Sequence, residues 1–387
     1  MHLTVKTTSS LIFVAFLVLS LPAASRAAGL DMTLTIETTS PLVGPLSLAY
    51  DGSSLALDAG YLQGTLLGYR WRLGVQPLAW GPSPFENLLY SDRVSLPQLW
   101  VSYDYHGFEI LPAMHYENFY ARLLPRDGSD RYLIGRRYTC GNERWQAGLI
   151  ETVLLSGGFS PYYLIPYPFF PISVGKVFLT ESRVGDPNDA NILYGLDIKY
   201  AGRRASGYAA LMIDEAPLTR AYQGPWRVGV QIGGERREFL GCEDLRLQGE
   251  YTAISRYAFT YREGYARGDY LHGDASIGHT LGPDADLLQV RAIGERADSQ
   301  TWLGLARERH GEGRFGDRWE PAAGQALELL TGTIETTYWL RGGYGFVPAD
   351  GWRLEFDARA GYVMNLDHVE DQTGMRYNLA VKAVYKF

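Results

Sequence analysis

Along much of this chain, apolar and polar residues alternate with a period of two. From Met375 onward the odd positions carry Met375, Tyr377, Leu379, Val381, Ala383, Tyr385 and Phe387, and the even positions carry Arg376, Asn378, Ala380, Lys382, Val384 and Lys386. Successive side chains of a strand point to opposite faces, so this spacing predicts a strand with one apolar and one largely polar face. Trp352, Leu354, Phe356, Ala358, Ala360 and Tyr362 alternate in the same way with Arg353, Glu355, Asp357, Arg359 and Gly361. So do Trp226, Val228, Val230 and Ile232 with Arg227, Gly229, Gln231 and Gly233, and Tyr194, Leu196, Ile198 and Tyr200 with Gly195, Asp197 and Lys199. Aromatic residues stand at the ends of these apolar sets. Turn residues separate the runs, as at Ala201-Gly202-Arg203-Arg204, Gly282-Pro283-Asp284 and Pro348-Ala349-Asp350-Gly351. The pattern predicts an all-β chain, which a soluble sandwich and a transmembrane barrel would both satisfy.

The two ends favour the barrel. Residues 1–27 read as a secretory signal: Lys6 is basic, Leu11 to Leu21 is apolar, and Ser25-Arg26-Ala27 offers small residues for cleavage. No later apolar run is long enough to cross a bilayer as a helix. An exported membrane protein without such a helix satisfies its backbone in a closed barrel. The C-terminal strand, with Tyr385 and terminal Phe387, resembles the signal read by the barrel assembly machinery. The expectation is one domain over 28–387, in the outer membrane and surrounded by its lipid. It is a single antiparallel transmembrane β-barrel of about 16–18 strands, even in number.

Composition adjusts this picture only slightly. Charged residues make up 20% of the chain, yet mean hydropathy is only −0.15, because polar and apolar residues alternate instead of clustering. The 27 Tyr, 15 Phe and 9 Trp suit interfacial girdles. Charge on a lipid face costs about 2–4 kcal/mol at mid-depth, so the charged set of 353–359 is expected to face a watery lumen. The net charge of −7 offers nothing to nucleic acid. Cys140 and Cys242 lie beside turn-like sequence, where a disulfide and two packed thiols are both open readings.

Two stretches break the alternation. Residues 156–191 are rich in Gly, Pro and aromatics, and four prolines between 161 and 171 exclude a central strand. Residues 77–97 contain Trp80-Gly81-Pro82-Ser83-Pro84. Both are too aromatic for disorder and are expected to fold into the barrel mouth or lumen.

No nucleophile elbow, phosphate loop, zinc-protease motif or cysteine metal cluster is present. No catalytic residue, metal site or cofactor is therefore expected, and a barrel-embedded hydrolase is the weakest reading. Binding or conduction remains. Tyr162, Tyr163 and Tyr167, with Phe169 and Phe170, offer faces for stacking on sugar rings; Arg136 and Arg137, with Arg144, offer charge-assisted bonds to sugar carboxylates. Packing of the aromatics against the wall, and pairing of the arginines with lumenal acids, is the competing account.

At these segments the chain resembles the capsule assembly Wzi family of outer-membrane barrels. Trp80-Gly81-Pro82 followed by Leu88-Leu89-Tyr90-Ser91-Asp92 is similar to that family's W-G-P-G and L-L-S-D/N segments. Ser83 stands in place of the second glycine, and Arg93 where asparagine is usual. Arg136-Arg137, the Trp145–Glu151 run, the Pro161–Pro171 stretch and Tyr208–Glu215 follow in similar order. The resemblance implies a barrel that binds acidic capsular polysaccharide and helps attach it to the cell surface, with Trp80 among the ligand residues. The rival expectation is a porin-like channel for small solutes or oligosaccharides.

Overall fold

A computed structural model describes residues 30–37, 45–50, 55–105, 113–156, 190–215, 224–261, 266–317 and 326–386. The signal segment, Phe387 and nearly all of 156–191 lie outside the described residues. Alternating sequence becomes a sheet of 17 strands. They are β1 (Leu30–Glu37), β2 (Leu46–Tyr50), β3 (Leu55–Leu66), β4 (Tyr69–Pro77), β5 (Ser95–Tyr105), β6 (Met114–Arg126), β7 (Ser129–Gly141), β8 (Trp145–Ser156) and β9 (Ala190–Ala201). There follow β10 (Ala205–Glu215), β11 (Arg227–Arg236), β12 (Leu245–Ile254), β13 (Ala285–Glu295), β14 (Ser299–His310), β15 (Glu335–Ala349), β16 (Trp352–Met364) and β17 (Thr373–Lys386).

Each strand pairs antiparallel with the next in sequence, from β1–β2 through to β16–β17. β1 also pairs with β17, in parallel, from Leu30 opposite Leu379 to Glu37 opposite Lys386. The pairings thus return to their start. The expected antiparallel barrel of about 16–18 strands stands: β2–β17 are sixteen strands paired antiparallel in sequence, and β1 is an additional strand between the two ends of that run, parallel to β17.

The connections differ at the two ends. At one end lie tight turns such as 67–68, 142–144, 202–204, 296–298 and 350–351. At the other lie 78–94, 157–189, 216–226, 255–284 and 311–334. Outer-membrane barrels keep short turns on the periplasmic side and long loops outside, which orients the chain.

The wall has the two faces that the alternation predicts. Leu303 and Leu305 are 61% and 59% exposed on the outside, while Ala306 between them and the plug is buried. Near the short-turn end aromatic pairs line the outer wall: Tyr69–Tyr103, Trp145–Tyr200 and Trp352–Tyr385, each with ring centroids 4.8 Å apart. Phe356 is exposed on the outside and stacks on Phe346. Arg353, Glu355, Asp357 and Arg359 border the lumen, as the charge argument requires. The main core sits inside the barrel and not between layers.

Candidate functional site

The lumen is filled from the long-loop end by the β4–β5 and β12–β13 connections. Trp80, Leu88, Leu89 and Tyr90 of the first, and Ala258, Phe259, Tyr270 and Ile277 of the second, are all buried in one cluster. Backbone bonds zip the two connections together: His279 N to Leu88 O at 3.0 Å and Ser91 N to Ile277 O at 3.1 Å. The Glu86 carboxylate accepts from Thr280 N at 2.7 Å and from its hydroxyl at 2.8 Å. A third connection joins through Asp284, which accepts from Gly313 N and Thr331 Oγ1.

Wall glycines make room for this plug. A Cβ at Gly135 would come within 2.3 Å of Phe119 and 2.9 Å of Trp80, and one at Gly195 within 2.2 Å of Leu89. Buried wall arginines hold the second connection by its carbonyls. Arg131 donates to Leu271 O at 3.0 Å and to Asp269 O, and Arg227 to Thr260 O at 3.0 Å. Such charge-assisted bonds satisfy loop carbonyls that would otherwise be buried without partners.

Beside the plug, against β13–β17, a chamber of about 960 Å³ remains. Six arginines border it, Arg93, Arg291, Arg341, Arg353, Arg359 and Arg376, against four acids, Glu86, Glu308, Glu355 and Asp357. Several are mutually satisfied: Arg353 bonds Glu355 at 2.8 Å, and Arg376 bonds Glu335 through two contacts at 2.7 and 3.1 Å. Arg291 stacks on Phe85 and donates to Pro84 O. Arg341 and Arg359 stand directly opposite across β15–β16, and both guanidinium groups lie over the Trp339 ring, at 5.7 and 5.2 Å. Arg341 has Glu308 at 3.6 Å. Arg93 and Arg359 have no side-chain hydrogen bond or ion pair among the described residues, and both add like charge around Arg341. Trp302 completes the wall, its ring nitrogen donating to Asp357 at 3.1 Å.

The plug offers the chamber His279. Its Nδ1 accepts from Leu281 N at 3.2 Å, which leaves the proton on Nε2, and Nε2 has no acceptor among the described residues. Burial pushes this imidazole below its ordinary pKa, so it is neutral.

The residues singled out from sequence are dispersed. Trp80 is 2% exposed, with Tyr90 and Phe119 packed edge-on at 5.2 Å. Arg137 faces the lumen and pairs with Asp197 at 3.1 Å. Arg136, one residue away, points to the opposite face, where it is buried opposite Glu151 and bonds Tyr138. Adjacent strand residues cannot converge on one ligand. Tyr162, Tyr163 and Tyr167 lie outside the described residues. Tyr385 closes the last strand against Trp352. Cys140 and Cys242 are both free. The chamber's Arg353 and Arg359 are visible in the sequence as a charged strand face and Arg93 as a departure from the expected asparagine; Arg341, Trp302 and Trp339 carry no motif.

No family model matches the chain, and no curated protein matches it. Among solved structures it is similar to Wzi of Escherichia coli, described as an outer-membrane protein involved in group 1 capsule assembly and a carbohydrate-binding β-barrel. That match has 14% identity and a TM-score of 0.59, covering 88% of this chain and 75% of the other. Looser matches are OccD3 of Pseudomonas aeruginosa, at 11% identity and TM-score 0.45 over 89% of this chain and 83% of that one, and the channel DcaP of Acinetobacter baumannii, at 12% and 0.41 over 70% and 76%. At these identities the likeness is one of fold, and the fold is that of the outer-membrane β-barrel. The chain is an outer-membrane protein.

Proposed function

We propose that this barrel binds an acidic saccharide in its lumenal chamber and thereby helps hold acidic polysaccharide at the outer membrane. The observation that carries the reading is the facing pair Arg341 and Arg359 on one indole, with Arg93 beside them. Like charges directly opposed on a sheet are destabilising, and although Glu308 and Glu86 act on Arg341, neither Arg93 nor Arg359 has an ion pair among the described residues. A carboxylate placed among them would accept bidentate bonds, while Trp302 and Trp339 give the site an aromatic wall for a sugar ring. Carbohydrate binding by the Wzi barrel supports the class of ligand. No step of this account needs a catalytic group. A porin-like channel is the weaker reading, because the plug packs the long-loop half of the lumen.

The test is equilibrium binding of an oligouronate and of a neutral oligosaccharide of the same length. Arg93→Ala with Arg359→Ala should weaken the first by about 1.5–3 kcal/mol for each charge-assisted bond lost, tenfold or more in Kd. Binding of the neutral sugar should change little, and the difference should shrink with salt where the arginines are open to solvent. Equal oligouronate affinity in the double variant and the parent would defeat the proposal. A second contact surface at Tyr162, Tyr163 and Tyr167 rests on sequence alone; truncating all three tests it in the same assay.

A further inference from the structure

The lumen changes character along its axis. On β6–β9 and β12, inward residues nearest the long-loop end are apolar and packed, as at Leu123, Leu133, Leu154, Leu193 and Ile254, and Arg131 among them is bonded to the plug; on β14, β15 and β17 that level carries Glu308, Glu335 and Arg376. Toward the short turns the inward residues are polar, as at Glu235 of β11, Arg246 and Gln248 of β12, Gln300 of β14, and Arg353 and Glu355 of β16. The chamber lies across this boundary. Its roof is Phe85 and Glu86 with His279, Thr280 and Leu281, all from the plug, and its lower wall reaches Gln300 and Arg353 beside the short turns.

The roof is built as core. Its two segments share backbone bonds, and Gln231 Nε2 ties Glu86 O to the wall at 2.7 Å. Asp214 accepts from Phe259 N at 2.8 Å, and Asn191 donates to Gly268 O at 3.1 Å. Lifting the plug would strand Arg131 and Arg227, each no more than 1% exposed, and would empty the space left by the wall glycines. A hinged lid shows few buried contacts and solvent-exposed bonds, and this segment shows the reverse.

We infer that the barrel is a one-ended vestibule. Its chamber is entered from the short-turn, periplasmic side, and residues 78–94, 255–261 and 266–284 seal the long-loop side as one packed body. The ligand is then taken from the periplasm and not from the medium outside. The identity of that ligand as an acidic saccharide rests on the reading above; the side of entry rests on packing alone.

Two thiol pairs in proteoliposomes test the inference, with a small membrane-impermeant methanethiosulfonate added outside and labels counted by intact mass. The first pair is native Cys242, exposed in a short-turn connection, with Arg359→Cys in the chamber, in a Cys140→Ser background. The second replaces Cys242 by Ser and adds Glu370→Cys, exposed in the β16–β17 connection at the long-loop end. Molecules of the first pair should carry two labels or none. Those of the second should carry one or none, with doubly labelled molecules at least tenfold rarer. Gln300→Cys in place of Arg359→Cys gives the same readout if the arginine variant inserts poorly, judged by heat-modifiability. Double labelling of the second pair at the level of the first would overturn one-sided entry. Loss of oligouronate binding in the Arg93 and Arg359 variant bears on the ligand and not on this result, so the two ideas fail separately.

Discussion

Two stretches of the same wall, β5–β12 and β13–β17, use the same alternation to opposite ends. Along the first, apolar side chains and glycines face inward at the level of the plug, which packs onto them through Trp80, Leu88, Leu89 and Tyr90, and the inward Arg131 and Arg227 are used up on plug carbonyls. Along the second, the inward set is arginine, tryptophan and acid, and the lumen stays open as a chamber. The comparison teaches that the lumen side of a barrel strand decides whether the interior becomes core or site.

The sharpest way to break that contrast is to remove the ring on which the packed side turns. Trp80 fills the space between Tyr90, Phe119 and Gly135. Trp80→Ala should destabilise the plug by about 3–5 kcal/mol, as truncation of a buried aromatic does. The barrel should still insert, since its wall pairings are untouched. Hydrogen exchange should quicken through 266–284, and bilayer recordings should show openings that the parent lacks. Trp302→Ala, on the chamber side, should leave exchange in that segment unchanged. Equal effects of the two changes would erase the distinction between core and site.

Much of this wall is legible in the sequence, because period-two alternation reports the faces directly and the charged set of 353–359 has only the lumen to occupy. The irregular 77–97 stretch is legible as an inward segment from its prolines and aromatics. The second half of the plug is not. Residues 255–284 carry few prolines, and their packing depends on partners far away in sequence, such as Leu88 and Arg131. The placement of β1 is equally hidden, because the parallel β1–β17 pair joins opposite ends of the chain. The chamber fails to show for the same reason: Arg341 meets Arg359, Arg93 and Trp339 only once three segments converge. Arg93 did stand out, as the residue in place of the expected asparagine, without the neighbours that give it a role.

A smaller effect sharpens the comparison from outside the barrel. Phe356 faces outward and Glu355 inward on the chamber wall. Phe356→Arg should cost about 2–4 kcal/mol if it lies near mid-membrane. Glu355→Gln should cost less than about 1 kcal/mol, since its Arg353 partner is close to half exposed. Urea refolding of both variants into lipid vesicles gives the two values, and a reversed order would invert the register of β16.

The smallest expected effect concerns pH and belongs to the packed side. Asp269 is 1% exposed in the plug; its Oδ1 accepts from Tyr261 N at 3.2 Å and its Oδ2 has no partner among the described residues. Burial lifts its carboxyl to about 6, against the pull of Arg126 and Arg131 and with a small push from Asp127. The folded value lies above the unfolded one, so the stability contributed by the neutral acid is fully present below the ordinary carboxyl range and is lost as pH rises through about 6. Between pH 5 and pH 7.5 the loss should be about 1 kcal/mol. Exchange of the 266–276 amides, corrected for the intrinsic pH dependence, should therefore be slower at pH 5 than at pH 7.5. Burial lowers the pKa of His272 and of His279, so charging either imidazole on acidification would destabilise the plug, the opposite sign to the Asp269 effect. Asp269→Asn keeps an acceptor for Tyr261 N and cannot ionise, so it should flatten the dependence while leaving exchange at pH 5 near the parent's. A slope that survives in Asp269→Asn would place the titrating group elsewhere and defeat the assignment to Asp269.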